Sequence, residues 1–404
     1  MRHQPVIIFS KASVIMDSLV STLVPEKTVA AFLDDLRALV NINSGTYTPE
    51  GVAQVAAYMR ALFEATGCAV ELIPGAKMGP QLIARRAGTG KGRVLIVGHM
   101  DTVFPDGEAD RRPFDIHDDC AYGPGVFDMK SGLLVAAYAI CGLVEVDEAP
   151  WESLTMICNS DEEIGSPESH ALIEAEAKQA DLALVLEPTS ELSRVTVSRK
   201  GAATYTLEIH GVAAHAGVEP HRGRSAVLEM AHRTVALHAL NGTIPGVTVN
   251  VGVVQGGERP NVVAENAYAE IDVRAADEEG VRAIEAALAK VVADTNVPDT
   301  TAVLEGFFAH RPFTQSPASA RLFALAAEAA GELGIALHGE PTGGASDGNT
   351  TAGLGTPTLD GLGLVGGLAH NPGEYVEIAS IAPRIALLMG LLRRLNGADL
   401  SAEE

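Results

Sequence analysis

The stretch Arg93–Pro105, RVLIVGHMDTVFP, decides the fold of this chain, because an apolar run ends there in a histidine and an aspartate. The run Val94–Gly98 shows no polar alternation, which is typical of a parallel strand covered by helices on both faces. His99 and Asp101 then follow at the carboxyl end of the strand, where open α/β sheets bind ligands. Taken alone, they fit an ordinary polar strand end better than a metal ligand with a supporting carboxylate.

Similar apolar runs occur on both sides of this stretch. LTMIC (154–158) and LALVL (182–186) predict two more buried strands, and shorter runs predict strands at 69–73 and 81–86. Apolar residues at helical spacing lie between the strands, at 28–40, 50–66, 130–145 and 167–178. The sequence therefore predicts an α/β fold, with a mostly parallel mixed sheet flanked by helices.

The pattern changes near residue 198. Strict alternation at 204–210, 247–254 and 267–274 predicts antiparallel strands with one solvated face, helices fit 225–240 and 278–294, and a last strand fits 301–308. The order β-α-β-β-α-β predicts an inserted ferredoxin-like α+β domain. After Pro312 the first pattern returns, with a helix at 317–333, a turn-rich stretch PTGGASDGNTT, a strand near 356–360 and a helix at 378–395.

Three segments follow from these changes. Residues 1–197 are the predicted first part of the catalytic domain, of which 1–15 form a flexible extension. Residues 198–310 are the predicted inserted domain, and 311–404 the second part of the catalytic domain.

Composition narrows the class of protein. The chain has 404 residues, a formal net charge of −23 and 47% hydrophobic residues, which favours a folded core and disfavours a nucleic-acid or anionic membrane partner. Its four cysteines are widely spaced without a CxxC pair, which indicates reduced thiols. The first apolar run is too short for a signal peptide, and we expect no later segment of membrane-spanning length. We therefore expect a cytoplasmic protein.

Five potential metal ligands fall at predicted strand ends or tight turns: His99, Asp128, Glu163, Glu187 and His370. Each has a plain structural reading by itself, for example Asp128 as the N-cap of the next helix or Glu163 as part of a solvated acidic turn. Together, two imidazoles and three carboxylates suit a pair of zinc ions bridged by one carboxylate, roughly 3.5–4 Å apart.

Two further acids have predicted supporting roles. Successive residues leaving a strand point in different directions, so Glu163 can face a metal while Glu162 faces the attacking water. Glu162 could then take a proton from that water and pass it to the leaving amine. Asp101 is expected to accept the other ring N–H of His99 and so fix its tautomer.

The sequence contains an ordered set of motifs: GHMDTVFP, GPGVFDMKSG, NSDEEIGS and LEP, followed by GVAAHAG, NVVAENA, IDVRAAD, TGGASDGN and HNPGEYVEI. Over residues 28–396 it resembles the aminoacylase/acetylornithine deacetylase/carboxypeptidase G superfamily of co-catalytic zinc hydrolases, and most of all its glutamate carboxypeptidase branch. The resemblance implies a zinc-exopeptidase-like fold and two Zn²⁺ per chain, with Co²⁺ or Mn²⁺ as alternatives. It implies one zinc on His99, Asp128 and Glu187, and a second on Asp128, Glu163 and His370. Asp128 would be the bridge and would precede a cis peptide bond to Met129.

The resemblance also assigns the inserted domain to dimerisation and to a lid over the site. His215 would reach across a homodimer to stabilise the oxyanion, with Asn261 nearby. Arg274, on the polar face of its strand, would grip a substrate carboxylate, and Arg311 and Lys200 near the domain junctions are weaker candidates. A surface turn for His215 and a solvated strand face for Arg274 remain open alternatives. GTGKG (88–92) is similar to a phosphate loop but lacks the flanking residues that such a loop needs.

The expected function is a dizinc hydrolase that releases a C-terminal amino acid, with glutamate as first candidate, from a small N-acyl amino acid or peptide. Zinc-bound hydroxide would attack the carbonyl, with Glu162 as general base. The first alternative is an N-acyl-amino-acid deacylase of the acetylornithine, succinyl-diaminopimelate or aminoacylase type. The second is a catalytically inactive binding protein on the same scaffold, which loss of a ligand or of Glu162 would favour; all of these residues are present.

Overall fold

The computed structural model describes residues 19–400, and the predicted extension over residues 1–15 lies outside that range. The chain forms two compact units. The first comprises the described residues up to Val197, Gln315–Pro341 and the described residues from Ser346 onward. The second comprises Ser198–Thr314 and Thr342–Ala345, so it interrupts the first.

The secondary structure of the chain before the interruption alternates helices and strands. Its elements are α1 (Glu26–Val40), α2 (Pro49–Ala65), β1 (Ala69–Ile73), β2 (Gln81–Ala87), β3 (Arg93–His99), α3 (Glu108–Arg111), β4 (Asp115–His117), β5 (Cys120–Tyr122), α4 (Ser131–Glu145), β6 (Ser153–Asn159), α5 (His170–Ala177), β7 (Leu182–Val185) and β8 (Arg194–Arg199).

The second unit carries the alternating strands. Its elements are β9 (Gly201–His210), β10 (Ala214–His215), α6 (Ala226–His238), β11 (Thr248–Gly256), β12 (Val262–Val263), β13 (Asn266–Ala275), α7 (Glu278–Ala293) and β14 (Thr301–His310). The remaining elements are α8 (Pro317–Glu332), β15 (His338–Thr342), α9 (Asp347–Gly353), β16 (Thr358–Leu359), β17 (Gly366–Gly367), β18 (Tyr375–Glu377) and α10 (Ile381–Arg394).

The main sheet of the first unit has the strand order β1-β2-β6-β3-β7-β16. β3 pairs in parallel with β6 and β7, β16 pairs in parallel with β7, and β1, β2 and β6 pair antiparallel. Alternate residues of β3 enter two cores: Val94 and Ile96 join the large cluster that contains α4, while Leu95 and Val97 pack in the small cluster with α5. The predicted strand covered on both faces, and the mostly parallel mixed sheet, are confirmed.

The second unit is a four-stranded antiparallel sheet with the order β11-β13-β9-β14. Inward side chains such as Leu207 and Ile271 form a core with Met230 of α6 and Ile284 of α7. Outward side chains such as Glu208 and Glu270 stay exposed, because alternation places every second residue on the solvated face. This strand order is that of the predicted ferredoxin-like fold.

Sequence reading missed several short elements. β17, β18, β5 and β4 form a small sheet, and their two- or three-residue strands carry no periodic signal. The stretch predicted to be only a turn contains α9, although Gly, Asn and Thr are poor helix formers. Ser346 starts this helix: its hydroxyl accepts from the backbone N–H of Gly348, and the Asn349 side chain accepts from the backbone N–H of Ser346.

We expected no segment long and apolar enough to span a membrane, and by length and composition alone this expectation was wrong. Among the described residues, Val126–Glu145 has 20 residues of mean hydropathy 1.5, but 78% of its apolar window is buried inside the protein. Because α4 packs against α1 and α10, the segment has the surroundings of a core helix. The four cysteines are unpaired as predicted; Cys68 and Cys158 are buried, while Cys120 and Cys141 are partly exposed.

Candidate metal centre

The main sheet brings the predicted ligands of the first unit to one edge. β3 ends at His99, β7 ends two residues before Glu187, and β6 leads into a 3₁₀ turn over Glu162–Ile164. Because these strands are parallel neighbours, their carboxyl ends lie side by side. Asp128 lies in the turn that precedes α4, and the Asp128–Met129 peptide bond is cis, as predicted. Asp128 is not the N-cap of α4, whose capping position is Lys130.

One oxygen of Asp128 belongs to a first group of donors. Nε2 of His99 lies 3.1 Å from Oδ1 of Asp128 and 3.8 Å from Oε1 of Glu187. His99 is fully buried, and its Nδ1 donates to the backbone carbonyl of Asp101 at 3.0 Å. Because a carbonyl only accepts, the proton resides on Nδ1, and Nε2 turns towards the carboxylates.

The other oxygen of Asp128 belongs to a second group. Nε2 of His370 lies 3.2 Å from Oδ2 of Asp128 and 3.2 Å from Oε2 of Glu163. His370 sits on a tight turn with a positive φ of 62°. The two oxygens of one carboxylate therefore meet two different imidazoles, each with a further carboxylate beside it.

This donor set fits divalent cations. In each of two overlapping triads, His99–Asp128–Glu163 and His99–Glu162–Glu187, one potential ligand atom of every residue lies within 4.8 Å of those of the other two. These triads differ from the predicted ligand sets in placing Glu162 among the donors. The pairwise contacts of Asp128 suit a bridging ligand, because such a ligand must offer one oxygen to each side. Oε1 of Glu163 is buried without a hydrogen-bond partner, as a metal-facing atom would be.

Electrostatics at the cluster point the same way. Burial acts to raise the pKa of Asp128, yet hydrogen bonds from His370 and His99 hold it below its ordinary value. Hydrogen bonds to Asp128 and then Glu163 raise the pKa of His370 to about 10. Burial raises the pKa of Glu162 well above its ordinary value, and the charges of Glu187 and Asp347 add to that rise. Several carboxylates this close together create a negative local potential, which favours the binding of a divalent cation.

Asp101 supports the His99 ring and also the turn that follows β6. Its backbone carbonyl lies 3.0 Å from Nδ1 of His99 and its Oδ1 lies 3.4 Å from the same nitrogen, so the predicted contact is present beside a shorter one. Its carboxylate accepts from the Thr46 hydroxyl at 2.7 Å and from the backbone N–H groups of Glu162 and Glu163 at 3.2 and 3.3 Å. Asp101 therefore fixes the turn that presents both glutamates, because three donors converge on one buried carboxylate.

Glu374 was not selected from the sequence, although it lies in the quoted motif HNPGEYVEI. It is fully buried, and its Oε1 accepts from the backbone N–H groups of Phe127 and Asp128 at 2.8 and 2.9 Å. Its Oε2 lies 3.4 Å from the N–H of Gly125. Glu374 is thus a positioning residue for the loop that carries Asp128. No residue spacing signals a carboxylate that binds backbone groups 246 positions away in the chain.

Asp347 is a second buried carboxylate that the sequence did not reveal. It accepts from the Ser166 hydroxyl at 2.6 Å and from the Asn159 amide at 2.8 Å. Burial raises its pKa to about 6. Because Asn159 ends β6 and Ser166 follows the Glu162–Ile164 turn, Asp347 ties the base of that turn to the start of α9.

Substitution of Glu374 tests its positioning role. Glu374→Ala leaves two buried N–H groups without acceptors, at about 1–3 kcal/mol each, and frees the Asp128 loop. We expect zinc affinity to fall about 10–100-fold, as for other groups that orient metal ligands. Glu374→Gln keeps an oxygen for both N–H groups and should retain most of that affinity. Competition with a chromogenic chelator measures it; equal zinc affinity in both variants and the wild type would contradict the role.

The second unit brings His215 and Asn261 together. His215 pairs with Val262 between β10 and β12, and the backbone carbonyl of Asn261 accepts from the N–H of Ala216 at 3.0 Å. Nδ1 of His215 accepts from the N–H groups of Gly217 and Val218 at 3.1 and 3.2 Å. The ring proton therefore resides on Nε2, and the exposed His215 can act as a hydrogen-bond donor.

The three predicted cationic residues of the second unit have partners within that unit. Arg274 lies on the polar face as predicted, and its guanidinium contacts both oxygens of Asp272 through Nε at 3.0 Å. Arg311 forms an ion pair with Glu278. The backbone N–H of Lys200 donates to the carbonyl of Thr342 at 3.2 Å. Both guanidinium groups are therefore paired with a carboxylate of their own unit and remain partly exposed, with 32% of the side chain exposed for Arg274 and 45% for Arg311.

Comparisons with known proteins agree with this geometry. The model of the peptidase family M20/M25/M40 matches residues 95–394. Carboxypeptidase G2 of Pseudomonas sp. (strain RS-16) is 30% identical over 374 residues, which cover 91% of this chain and 89% of that protein.

Solved structures share the fold. A tripeptidase from Staphylococcus aureus superposes with a TM-score of 0.76 at 22% identity, covering 90% of this chain and 98% of its own. A metallo-carboxypeptidase from Sulfolobus solfataricus superposes with a TM-score of 0.73 at 18% identity, also covering 90% and 98%. At such identities the likeness concerns the fold alone.

Proposed function

The chain belongs to the peptidase family M20/M25/M40, and on that premise we propose that it is a dizinc carboxypeptidase that releases a C-terminal glutamate from an N-acyl or peptidyl group. That it is a hydrolytic metallopeptidase follows from the family and from its similarity to carboxypeptidase G2. The number and identity of the metals, and the released amino acid, are the proposal.

One observation carries the proposal: the two oxygens of Asp128 contact His99 and His370 separately. Such an arrangement suits one bridging carboxylate between two metal ions. Glu187 beside His99 and Glu163 beside His370 complete two mixed sets of nitrogen and oxygen donors, which zinc accepts. We assign one zinc to His99, Asp128 and Glu187, and the other to Asp128, Glu163 and His370.

Zinc, when bound, supplies Lewis-acid polarisation of the substrate carbonyl and acidifies water at the site. Glu162 takes a proton from the attacking water and returns it to the nitrogen of the leaving amino acid. Its raised pKa suits a proton carrier, because a more basic carboxylate takes the proton from water more readily and holds it until the leaving nitrogen accepts it. Asp101 holds Glu162 in place through its backbone N–H.

Residues of the second unit would complete the reaction. The Nε2–H of His215 is a donor for the oxyanion, and Arg274 offers its exposed guanidinium edge to a substrate carboxylate. We propose that His215 acts across a homodimer formed through the second unit. In support, α6 exposes Val227, Leu228 and Val235, and the neighbouring edge strand β11 exposes Val254. Unpaired strand edges and apolar patches favour association.

A charge on α6 tests the dimer. Val235 is 71% exposed, so Val235→Arg should fold normally while placing a charge in the apolar patch. We expect sedimentation to show a dimer for the wild type, a monomer for Val235→Arg, and loss of activity in the monomer. Val146→Arg, at an exposed valine of the first unit, is the matched control and should remain dimeric. A monomeric, fully active wild type would contradict the proposal.

A substrate panel tests the reaction. N-acyl-glutamates are compared with N-acetyl and N-succinyl derivatives of ornithine and diaminopimelate, using zinc-loaded protein. We expect kcat/KM for the glutamate series to exceed that of the others by at least about tenfold, because a specific pocket contact discriminates by that much. A preference for small acyl groups on basic amino acids would instead assign the chain to the deacylases.

A further inference from the structure

A buried polar cluster lies beneath the turn that carries Glu162, and no step of the proposed reaction uses it. Its members are Asn159, Ser166 and Asp347, each at most 2% exposed. Buried polar groups are costly unless they are paired, so a paired cluster of this kind fixes the backbone segments that contribute to it. We propose that Asp347 is a positioning residue for Glu162 and acts on it through Ser166; this rests on the proposed function.

The end of the turn has an unfavourable backbone conformation. Gly165 and Ser166 directly follow the Glu162–Ile164 turn, with φ of 86° and 57°. Glycine adopts this left-handed region freely, whereas the Cβ of a serine disfavours it. The buried Ser166 hydroxyl donates to Oδ1 of Asp347 at 2.6 Å, a short hydrogen bond to a carboxylate. Asp347 therefore helps to hold Ser166 in a conformation that its backbone alone does not favour.

Asp347 is itself held by two elements. It is the first residue of α9, and the capping residue Ser346 donates its hydroxyl to Oδ2 of Asp360 at 2.7 Å. Oδ2 of Asp347 accepts from the side-chain amide of Asn159, the last residue of β6, at 2.8 Å. The carboxylate thus joins α9, the end of β6 and the end of the turn, so it fixes Ser166 relative to the main sheet.

The side chain of Glu162 depends on the turn more than that of its neighbour. Oε2 of Glu163 lies 3.2 Å from Nε2 of His370, so the Glu163 side chain has an anchor outside the turn. Within the described part of the chain, no hydrogen bond holds the Glu162 carboxylate. Its backbone N–H donates to Asp101 at 3.2 Å, and its carbonyl accepts from the N–H of Gly165 at 2.7 Å. A shift at the end of the turn therefore displaces the proton carrier before it displaces the metal ligand.

The inference predicts a loss in kcat with the metal retained. At saturating Zn²⁺, Asp347→Ala and Ser166→Ala should each lower kcat by about 10- to 100-fold and leave zinc content at the wild-type level, because a small misplacement of a reacting group costs about that much. Asp347→Asn keeps an oxygen for the Ser166 hydroxyl and should lose less than Asp347→Ala. Ser166→Gly takes the left-handed conformation without strain and should lose less than Ser166→Ala. The double alanine variant should be no slower than Asp347→Ala, since both changes remove the same contact.

Asp35 supplies the matched control. Its carboxylate also accepts from two side chains, the hydroxyl groups of Tyr58 and Tyr138 at 2.7 and 2.6 Å, and so joins α1, α2 and α4. Asp35→Ala should lower the melting temperature and leave kcat unchanged.

A second background shows whether Asp347 acts through Glu162. When Asp347→Ala is added to Glu162→Gln, the small remaining rate should change little, because the group that Asp347 positions has already lost its function. Zinc content, melting temperature and kcat of all variants are measured with the N-acyl-glutamate that the wild type hydrolyses fastest.

Two results would overturn the inference and leave the proposed function standing. One is a wild-type kcat in Asp347→Ala, or in Ser166→Ala if Asp347→Ala does not fold. The other is an equal factor lost when Asp347→Ala is added to the wild type and to Glu162→Gln. Hydrolysis of none of the N-acyl-glutamates by the zinc-loaded wild type, or wild-type activity of Glu162→Gln, would overturn the proposed function and the inference with it.

Discussion

Glu162→Gln is expected to lower kcat by about 10³-fold or more while the protein keeps its metal, because general acid–base groups contribute about 10²–10⁴-fold. An amide of the same shape cannot accept the proton of the attacking water. The turn itself should persist, since Asp101 holds the backbone N–H of residue 162 and not its side chain. Burial and the neighbouring carboxylates already disfavour charge at this position, so no loss of thermal stability is expected.

The adjacent glutamate supplies the matched control. Glu163 occupies the next position of the same turn, and its Oε2 lies 3.2 Å from the His370 ring. Glu163→Gln should therefore lose zinc as well as activity, whereas Glu162→Gln should lose activity alone. Metal analysis beside steady-state kinetics distinguishes the two. Activity of Glu162→Gln near that of the wild type would remove Glu162 as the base.

Asp128→Ala is expected to have the other large effect, because its two oxygens serve both groups of donors. A metal ion contributes several kcal/mol of transition-state stabilisation, and about 6 kcal/mol corresponds to roughly 10⁴-fold in rate. We therefore expect Asp128→Ala to bind little zinc and to lose at least that factor in kcat/KM.

Two further variants test whether the loss of zinc is specific to Asp128. Asp115→Ala removes an exposed carboxylate on β4 and should leave zinc content and activity unchanged. Glu187→Ala removes a donor from one group only, so it should retain more zinc than Asp128→Ala. Zinc content and kcat/KM of all three are measured together. Equal metal loss in Glu187→Ala and Asp128→Ala would contradict the bridging position of Asp128.

The sequence was sufficient for the fold because local periodicity carries it. An unbroken apolar run such as Val94–Gly98 predicts a strand buried on both faces, and an alternating run such as that of β13 predicts a strand with one solvated face. The structure has these two kinds of strand at these places. The same logic located strand ends, and therefore the side chains that gather at the sheet edge. Short strands such as β5 and β18 pair with each other across a long stretch of the chain, which no local pattern encodes.

The site was predictable for side chains that follow strands and much less so for those that support them. His99 and Glu187 could be found from strand ends, but Glu374 reaches its partners only through tertiary packing. Asp101 contacts the His99 ring as expected, with its backbone carbonyl closer than its carboxylate, but its hydrogen bonds to the Glu162–Glu163 turn were not predicted. Contacts to backbone groups depend on how segments meet, and residue identity alone does not record this.

The most direct test of the account is a count of bound metal together with activity. Protein purified without chelator, and protein stripped of metal and then titrated with Zn²⁺, are analysed for zinc per chain and for hydrolysis of an N-acyl-glutamate. We expect two zinc ions per chain, and activity that returns as they bind. Fewer than one zinc per chain, with no activity restored by Zn²⁺, would contradict it.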